Sequence, residues 1–170
     1  MADLVAREAR SQLRRGTKAR GPRVEYLAFR LGADTYAVPI GEVREILKLP
    51  PVTEVPRAPS DVLGVVSVRG LLVTVIDLKQ RLRVSPAEIT KKGRILLVMG
   101  AQNEVIGLYV DEVLQVYRLA EAEVEVAGNV LGGKLGDYVV GIGRPEGKLL
   151  ILVDLGPILG RIDPEDRNAT

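Results

Sequence analysis

The sequence predicts an all-β protein, folded as two small β-barrel lobes that are related by an internal repeat and accompanied by short helices. Three observations carry that expectation. Apolar segments of strand length recur along the chain, divided at short and regular intervals by Gly, Pro and Asp. That punctuation suits small barrels better than a parallel sheet with long crossover helices. Two sequence units also recur in the same order. Finally, 170 residues with 46% hydrophobic content can bury a real core, as one ordinary domain or two small lobes.

The repeat is visible by displacement. Shifted by 77 residues, GVVSVRGLLVTVIDLKQRL (64–82) lies on GIGRPEGKLLILVDLGPIL (141–159), matching Gly70 to Gly147, Leu72 to Leu149 and Asp77 to Asp154. Shifted by 70, PIGEVREI (39–46) lies on YVDEVLQV (109–116), matching Glu42 to Glu112 and Val43 to Val113. The change of shift places a length difference in a connection, where it is tolerated.

Residues 1–23 hold seven Lys or Arg against Asp3 and Glu8, a net of +5 that leaves −3 for the rest of a chain whose total is +2. A helix over 1–15 would be broken by Gly16, Gly21 and Pro22, so this stretch reads as a flexible basic extension before a domain at 24–160 and a polar tail at 161–170. VEYLAFRLG (24–32) reads as a strand covered on both faces, GAD as a turn, and TYAVPI as the returning strand, with Pro39 at its end. GEVREIL (41–47) spaces Val43, Ile46 and Leu47 as a short amphipathic helix does. PPVTEVPRAPSDVLG is a proline-punctuated turn segment, whose PRAP reads as a rigid connection.

GVVSVRG and LLVTVIDL are then two strands, KQRL a short helix or turn, and RVSPAEITKKG a polar connection. RILLVMG, NEVIGLYVDEV, LQVYRL and KLLILVDL follow as strands, and GPILG as a closing helix. Asp77 and Asp154 stand at equivalent places in the repeat, each before a helix, and are expected to cap it by accepting backbone N–H bonds.

Function is bounded first by what is absent. The chain has no Cys and no His, which removes disulfides, thiolate or imidazole metal sites and every Cys- or His-based catalytic scheme. GNVLGGKL (128–135) imitates a phosphate loop, but Leu135 stands where Ser or Thr should hold magnesium. GIG (141–143) lacks the third glycine of a dinucleotide fingerprint. Asp111 and Glu112 are adjacent on a strand and point to opposite faces, so they read as a solvated strand end and not as an acid–base pair. No enzyme and no cofactor is expected. The apolar runs are far shorter than the roughly 20 residues that span a bilayer, and no secretory signal follows the first charges. The expected compartment is a bacterial-type cytosol.

Arg69 is the charged exception in an apolar stretch, set beside Gly70 where the chain turns. A partly buried guanidinium there needs a carboxylate, and Glu45 on the expected helix is the candidate. Such a pair would fix how helix and hairpin meet and would frame a binding groove.

The blocks FRLGADTYAVPIGEVREIL, VTEVPRAPSDVLGVVSVRGLLVTVIDL, VIGLYVDEVLQV and VVGIGRPEGKLLILVDL together resemble the CheW family of bacterial chemotaxis coupling proteins, over residues 24 to about 160. The resemblance implies two small five-stranded barrels and a non-catalytic adaptor. Its implied partners are the cytoplasmic hairpin tips of chemoreceptors and the regulatory domain of a CheA-type histidine kinase, met in membrane-associated arrays. It places the family's signature Arg-Gly on Arg69 and Gly70 and its partner Glu on Glu45, and it implies contact positions at Val43, Gly64, Ile95 and Val116. Ser67 and Val68 depart from the Asn and Leu often found before that Arg, and the basic extension is outside the common pattern. The alternative is a small-barrel nucleic-acid binder anchored by the basic extension. The net negative charge of the remainder disfavours it.

Overall fold

The computed structural model describes residues 21–84, 89–126 and 137–160. Most of the basic extension, the glycine-rich 128–135 stretch and the polar C-terminal tail lie outside the described residues.

β1 (Arg23–Leu31) and β2 (Asp34–Pro39) form a hairpin whose tight turn uses Gly32 at φ 62°. A single 3-10 turn at Ile40–Glu42 leads into β3 (Val43–Lys48). β4 (Val62–Val68) and β5 (Leu71–Asp77) form a second hairpin, followed by helix α1 (Leu78–Leu82). β6 (Arg94–Met99) and β7 (Val105–Val110) form a third, continued by β8 (Glu112–Ala120) and the short β9 (Val124–Val126). β10 (Val139–Gly143), β11 (Leu150–Val153) and helix α2 (Leu155–Gly160) complete the order.

The strands form a six-stranded sheet, β8-β1-β2-β11-β10-β9, and a five-stranded sheet, β3-β6-β7-β5-β4. Pairing is antiparallel throughout except between β2 and β11 and between β5 and β7. The expected all-β, two-lobed architecture is therefore present, with two corrections. One lobe has six strands because β9 adds to the free edge of β10. Neither sheet closes through a strand ladder among the described residues, so the lobes are open and curled and not complete barrels.

The helix expected over 41–47 is also corrected: Gly41 and Glu42 lie in the 3-10 turn, and Val43 to Leu47 are strand. Val43, Glu45 and Leu47 alternate with the more exposed Arg44, Ile46 and Lys48, and β3 pairs with β6 from Val43↔Val98 to Lys48↔Arg94. A strand at the edge of an available sheet gains a ladder of backbone hydrogen bonds, whereas an isolated helix of seven residues lies far below the length at which helices are stable alone. NEVIGLYVDEV is likewise not one strand: the chain bends at Asp111 between β7 and β8.

The repeat is real in space, but its halves are interlaced. The series β1-β2-β3-β4-β5-α1 corresponds to β6-β7-β8-β10-β11-α2. With the added β9 set aside, each sheet takes one hairpin from one half and three strands from the other, so β8-β1-β2-β11-β10 mirrors β3-β6-β7-β5-β4. β3 and β8 are the strands that cross over.

Packing follows from strand alternation. Phe29 and Leu31 of β1, Tyr36 and Val38 of β2, Leu96 and Val98 of β6, and Leu108 and Val110 of β7 fill the main core, which both sheets share. The opposite faces line two smaller cores: Val66, Val73, Val75, Ile95, Leu97 and Tyr109 in the five-stranded lobe, and Ala28, Ala37, Leu119, Leu150 and Leu152 in the other. Central strands are thus buried on both sides, which is why their sequences read as apolar runs. Burial and nearby Asp34 push the Tyr36 hydroxyl up to about 12.

Asp77 and Asp154 cap their helices as expected, accepting N–H bonds from Lys79 and Gly156 at 3.1 Å each. The expectation of a solvated Asp111 is overturned. Its carboxylate lies 2.8 Å from Nζ of Lys79, whose side chain is only 3% exposed, and it accepts the Gly32 N–H at 2.8 Å. Burying Lys79 required a paired carboxylate, and the bend after β7 supplies it. Glu112, beside it, pairs instead with Arg30 at 3.0 Å.

A candidate protein-docking surface

Four of the seven candidate residues lie in the five-stranded sheet, and two more, Arg69 and Gly70, form the turn of its β4–β5 hairpin. The β4–β5 hairpin reverses through Arg69 and Gly70, at φ 50° and 81°, between the paired Val68 and Leu71. Positive φ at both central positions is what a two-residue type I′ turn needs, and it matches the twist of the flanking strands. From this tip the guanidinium reaches Glu45 on β3 as a fork on a fork: Nη1 donates to Oε1 at 3.0 Å, and Nη2 to Oε2. β3 and β4 are opposite edges of the sheet, so the pair bridges the gap that no ladder closes.

The expected partnership is therefore present, but its setting is corrected. Arg69 is not partly buried; its side chain is 69% exposed, because it belongs to a turn and not to the strand body. Glu45 stands on a strand and not on a helix. Hydrogen bonding to Arg69, and then its charge, hold the Glu45 carboxyl below its ordinary value and raise that of Arg69.

Other candidates divide by burial. Val43 opens β3, half-buried against the main core. Gly64 is buried in β4 at a register shift, with φ 149°, and a Cβ there would stand 2.3 Å from the Thr53 carbonyl oxygen. Glycine is therefore required by the close passage of the 52–53 segment, which bridges Val65 through Thr53. Ile95 is 0% exposed inside the lobe, so its side chain supports a surface and does not form one. Val116 is exposed on β8, the edge of the other sheet, opposite Leu27.

The most exposed apolar side chains of this region escaped the sequence reading. Leu71 and Leu72 follow the turn at 64% and 77% exposure, although LLVTVI reads as a buried run. On the other lobe, Leu149, the repeat counterpart of Leu72, is exposed with Val126 and Val140. The signal available was position: residues next to an Arg-Gly turn protrude beyond the sheet's own core. An apolar tip beside a bidentate ion pair can seat a protein surface, with the leucines as anchors and the charges as rim.

Comparisons with known proteins agree with the fold. A sequence model of the CheW-like domain matches residues 25–163. The chain is 31% identical over 134 residues to the chemotaxis protein CheW of Rhizobium meliloti (strain 1021), covering 79% of this chain and 86% of that protein. It is 30% identical over 135 residues to the chemotaxis protein CheW of Bacillus subtilis (strain 168), covering 79% and 86%. Among solved structures, the scaffolding protein TtCheW from Thermoanaerobacter tengcongensis superposes with a TM-score of 0.74 at 27% identity, covering 81% of this chain and 92% of that one.

Proposed function

This chain belongs to the CheW-like domain family, and from that premise we propose that it is a non-catalytic adaptor, coupling chemoreceptors to a CheA-type histidine kinase in a chemotaxis-like pathway. The observation that carries the reading is the Arg69–Glu45 fork beside exposed Leu71 and Leu72, in a chain whose relatives are named as chemotaxis and scaffolding proteins. An adaptor needs separate docking surfaces and no reacting group, and the two interlaced lobes offer an apolar patch each.

In this proposal Glu45, Arg69 and Gly70 set the shape of one docking edge, Val43 and Val116 contribute contact area, and Gly64 and Ile95 act from beneath. A helical receptor tip would lie along an apolar groove, and a barrel of the kinase regulatory domain would meet another face. Individually modest contacts would gain strength by avidity in a membrane-associated array, to which this protein is recruited from the cytoplasm through receptors.

The test is sedimentation velocity of the full chain with the regulatory domain of a CheA-type kinase from the same cell, and separately with a receptor hairpin tip. A faster-sedimenting complex, weakened by Arg69→Ala, is the expected result. No complex at concentrations well above micromolar overturns the adaptor reading, and salt-sensitive binding to nucleic acid in its place would favour the basic-extension alternative.

A further inference from the structure

We propose that a cleft of about 820 Å³ between the 55–62 segment and α1 is a second docking site, which takes an extended acidic peptide segment of a partner protein. It goes beyond the adaptor reading and uses none of the residues assigned to it. Arg69 and Gly70 form the tip of the β4–β5 hairpin, whereas the cleft lies towards the hairpin's base, where Val62 pairs with Ile76.

The walls are built and held. Turns close from Val55 to Ala58 and from Pro59 to Val62 through backbone bonds of 3.2 and 3.0 Å. Arg81, only 9% exposed, spans the site: it is ion-paired with Asp61, and its Nε and Nη2 donate to the Ile158 carbonyl at 3.1 and 2.8 Å. That strut ties the proline segment, α1 and α2 together, so a ligand would meet a preformed surface.

The available charge is cationic. Arg57 and Arg83 also line the cleft, both exposed, and neither is ion-paired among the described residues. Asp61 is the one carboxylate in the lining, and Arg81 already engages it. Both free arginines stand in the left-handed region, at φ 62° and 56°, and Arg83 does so as the residue ending α1, where glycine is the usual choice. Arg69 holds the same kind of position and uses its side chain on a carboxylate.

The rest of the lining selects the ligand class. Val55, Pro56, Pro59 and Val65 give apolar walls. An inorganic anion would leave most of that surface uncovered. No aromatic side chain lines the cleft to stack a base, which disfavours single-stranded nucleic acid. A peptide with carboxylates flanking an aliphatic side chain satisfies both halves, with guanidinium–carboxylate forks at the rim and apolar contact between them.

Fluorescence anisotropy tests this with the full chain and a pool of short fluorescein-labelled peptides, each with Asp or Glu flanking Leu, Ile or Val, against a pool with Asn and Gln in place of the acids. The acidic pool should bind, the amide pool about tenfold more weakly or worse. The Arg57→Gly/Arg83→Gly variant should lose the same factor with Tm unchanged or raised, since glycine suits both backbone positions. Arg69→Ala should bind the pool as the parent does while its kinase and receptor complexes weaken, which separates failure of this site from failure of the adaptor reading. Equal binding of the two pools, retained binding by the double glycine variant, or full displacement by inorganic phosphate would each overturn the proposal.

Discussion

Arg69 meets two demands at one position. The turn requires a positive φ that suits Gly or Asn, while the gap between β3 and β4 requires a long cationic fork. Hydrogen bonds from Arg69 hold the Glu45 carboxyl below its ordinary value of 4.5. For a carboxyl lowered in this way, the stabilisation is complete above the ordinary value and disappears as pH falls through the folded-state value. The pair is exposed, so its contribution is small. Thermal melts should therefore show Arg69→Ala slightly below the parent at pH 7, with the two curves converging well below pH 4.5. A constant gap across that range would mean that Arg69 stabilises by turn geometry and not by charge.

β3 shows how one residue can disguise an element. A register shift after Val43 turns that residue to the main core and leaves Glu45 before Leu47 on the face of the smaller one, so no apolar alternation runs through the segment to mark a strand. The carboxylate is tolerated there because Arg69, 24 residues away in sequence, satisfies it. The β4–β5 hairpin shows the converse, since the apolar Leu71 and Leu72 protrude at its tip while Ile95 on β6 is sealed beneath. Ile95→Ala should therefore lower stability by about 2–5 kcal/mol, as cavity-forming core truncations do. Leu72→Ser should shift stability by no more than about 0.5 kcal/mol and yet weaken the proposed partner complex. Urea midpoints combined with sedimentation check both, and a destabilised Leu72→Ser would remove the docking role.

The molecule as a whole is one cooperative unit because its halves are interlaced. Neither the first half nor the second contains a complete sheet, and the main core draws on both. The buried Lys79–Asp111 pair joins α1 of the first half to the bend after β7 in the second. A fragment of residues 21–84 would expose the faces of β1 and β2 and leave β5 without its parallel neighbour β7. It should show no cooperative melting by circular dichroism, and mixing with a fragment beginning at residue 89 should restore a transition. Independent folding of the 21–84 fragment would contradict the interlaced architecture.

Local chemistry was legible in the amino-acid order. Apolar runs between Gly and Pro marked β1, β2, β4, β5, β6 and β11, the Asp before each short helix marked its cap, and the repeat marked the two lobes. Arg69 announced itself as a charge out of place, its need for a carboxylate pointed to Glu45, and the family resemblance placed the partner at the same residue. Side-chain pattern reports the immediate covering of each segment, and these features depend on little else. The strand state of β3, the exchange of strands between lobes, the exposure of Leu71 and Leu72, the sealing of Ile95 and the burial of Asp111 depend on distant segments. Each follows from which edge was free to pair, or which charge lay within reach, once the sheets had formed. Those are relations between residues far apart in the chain, and no local pattern encodes them.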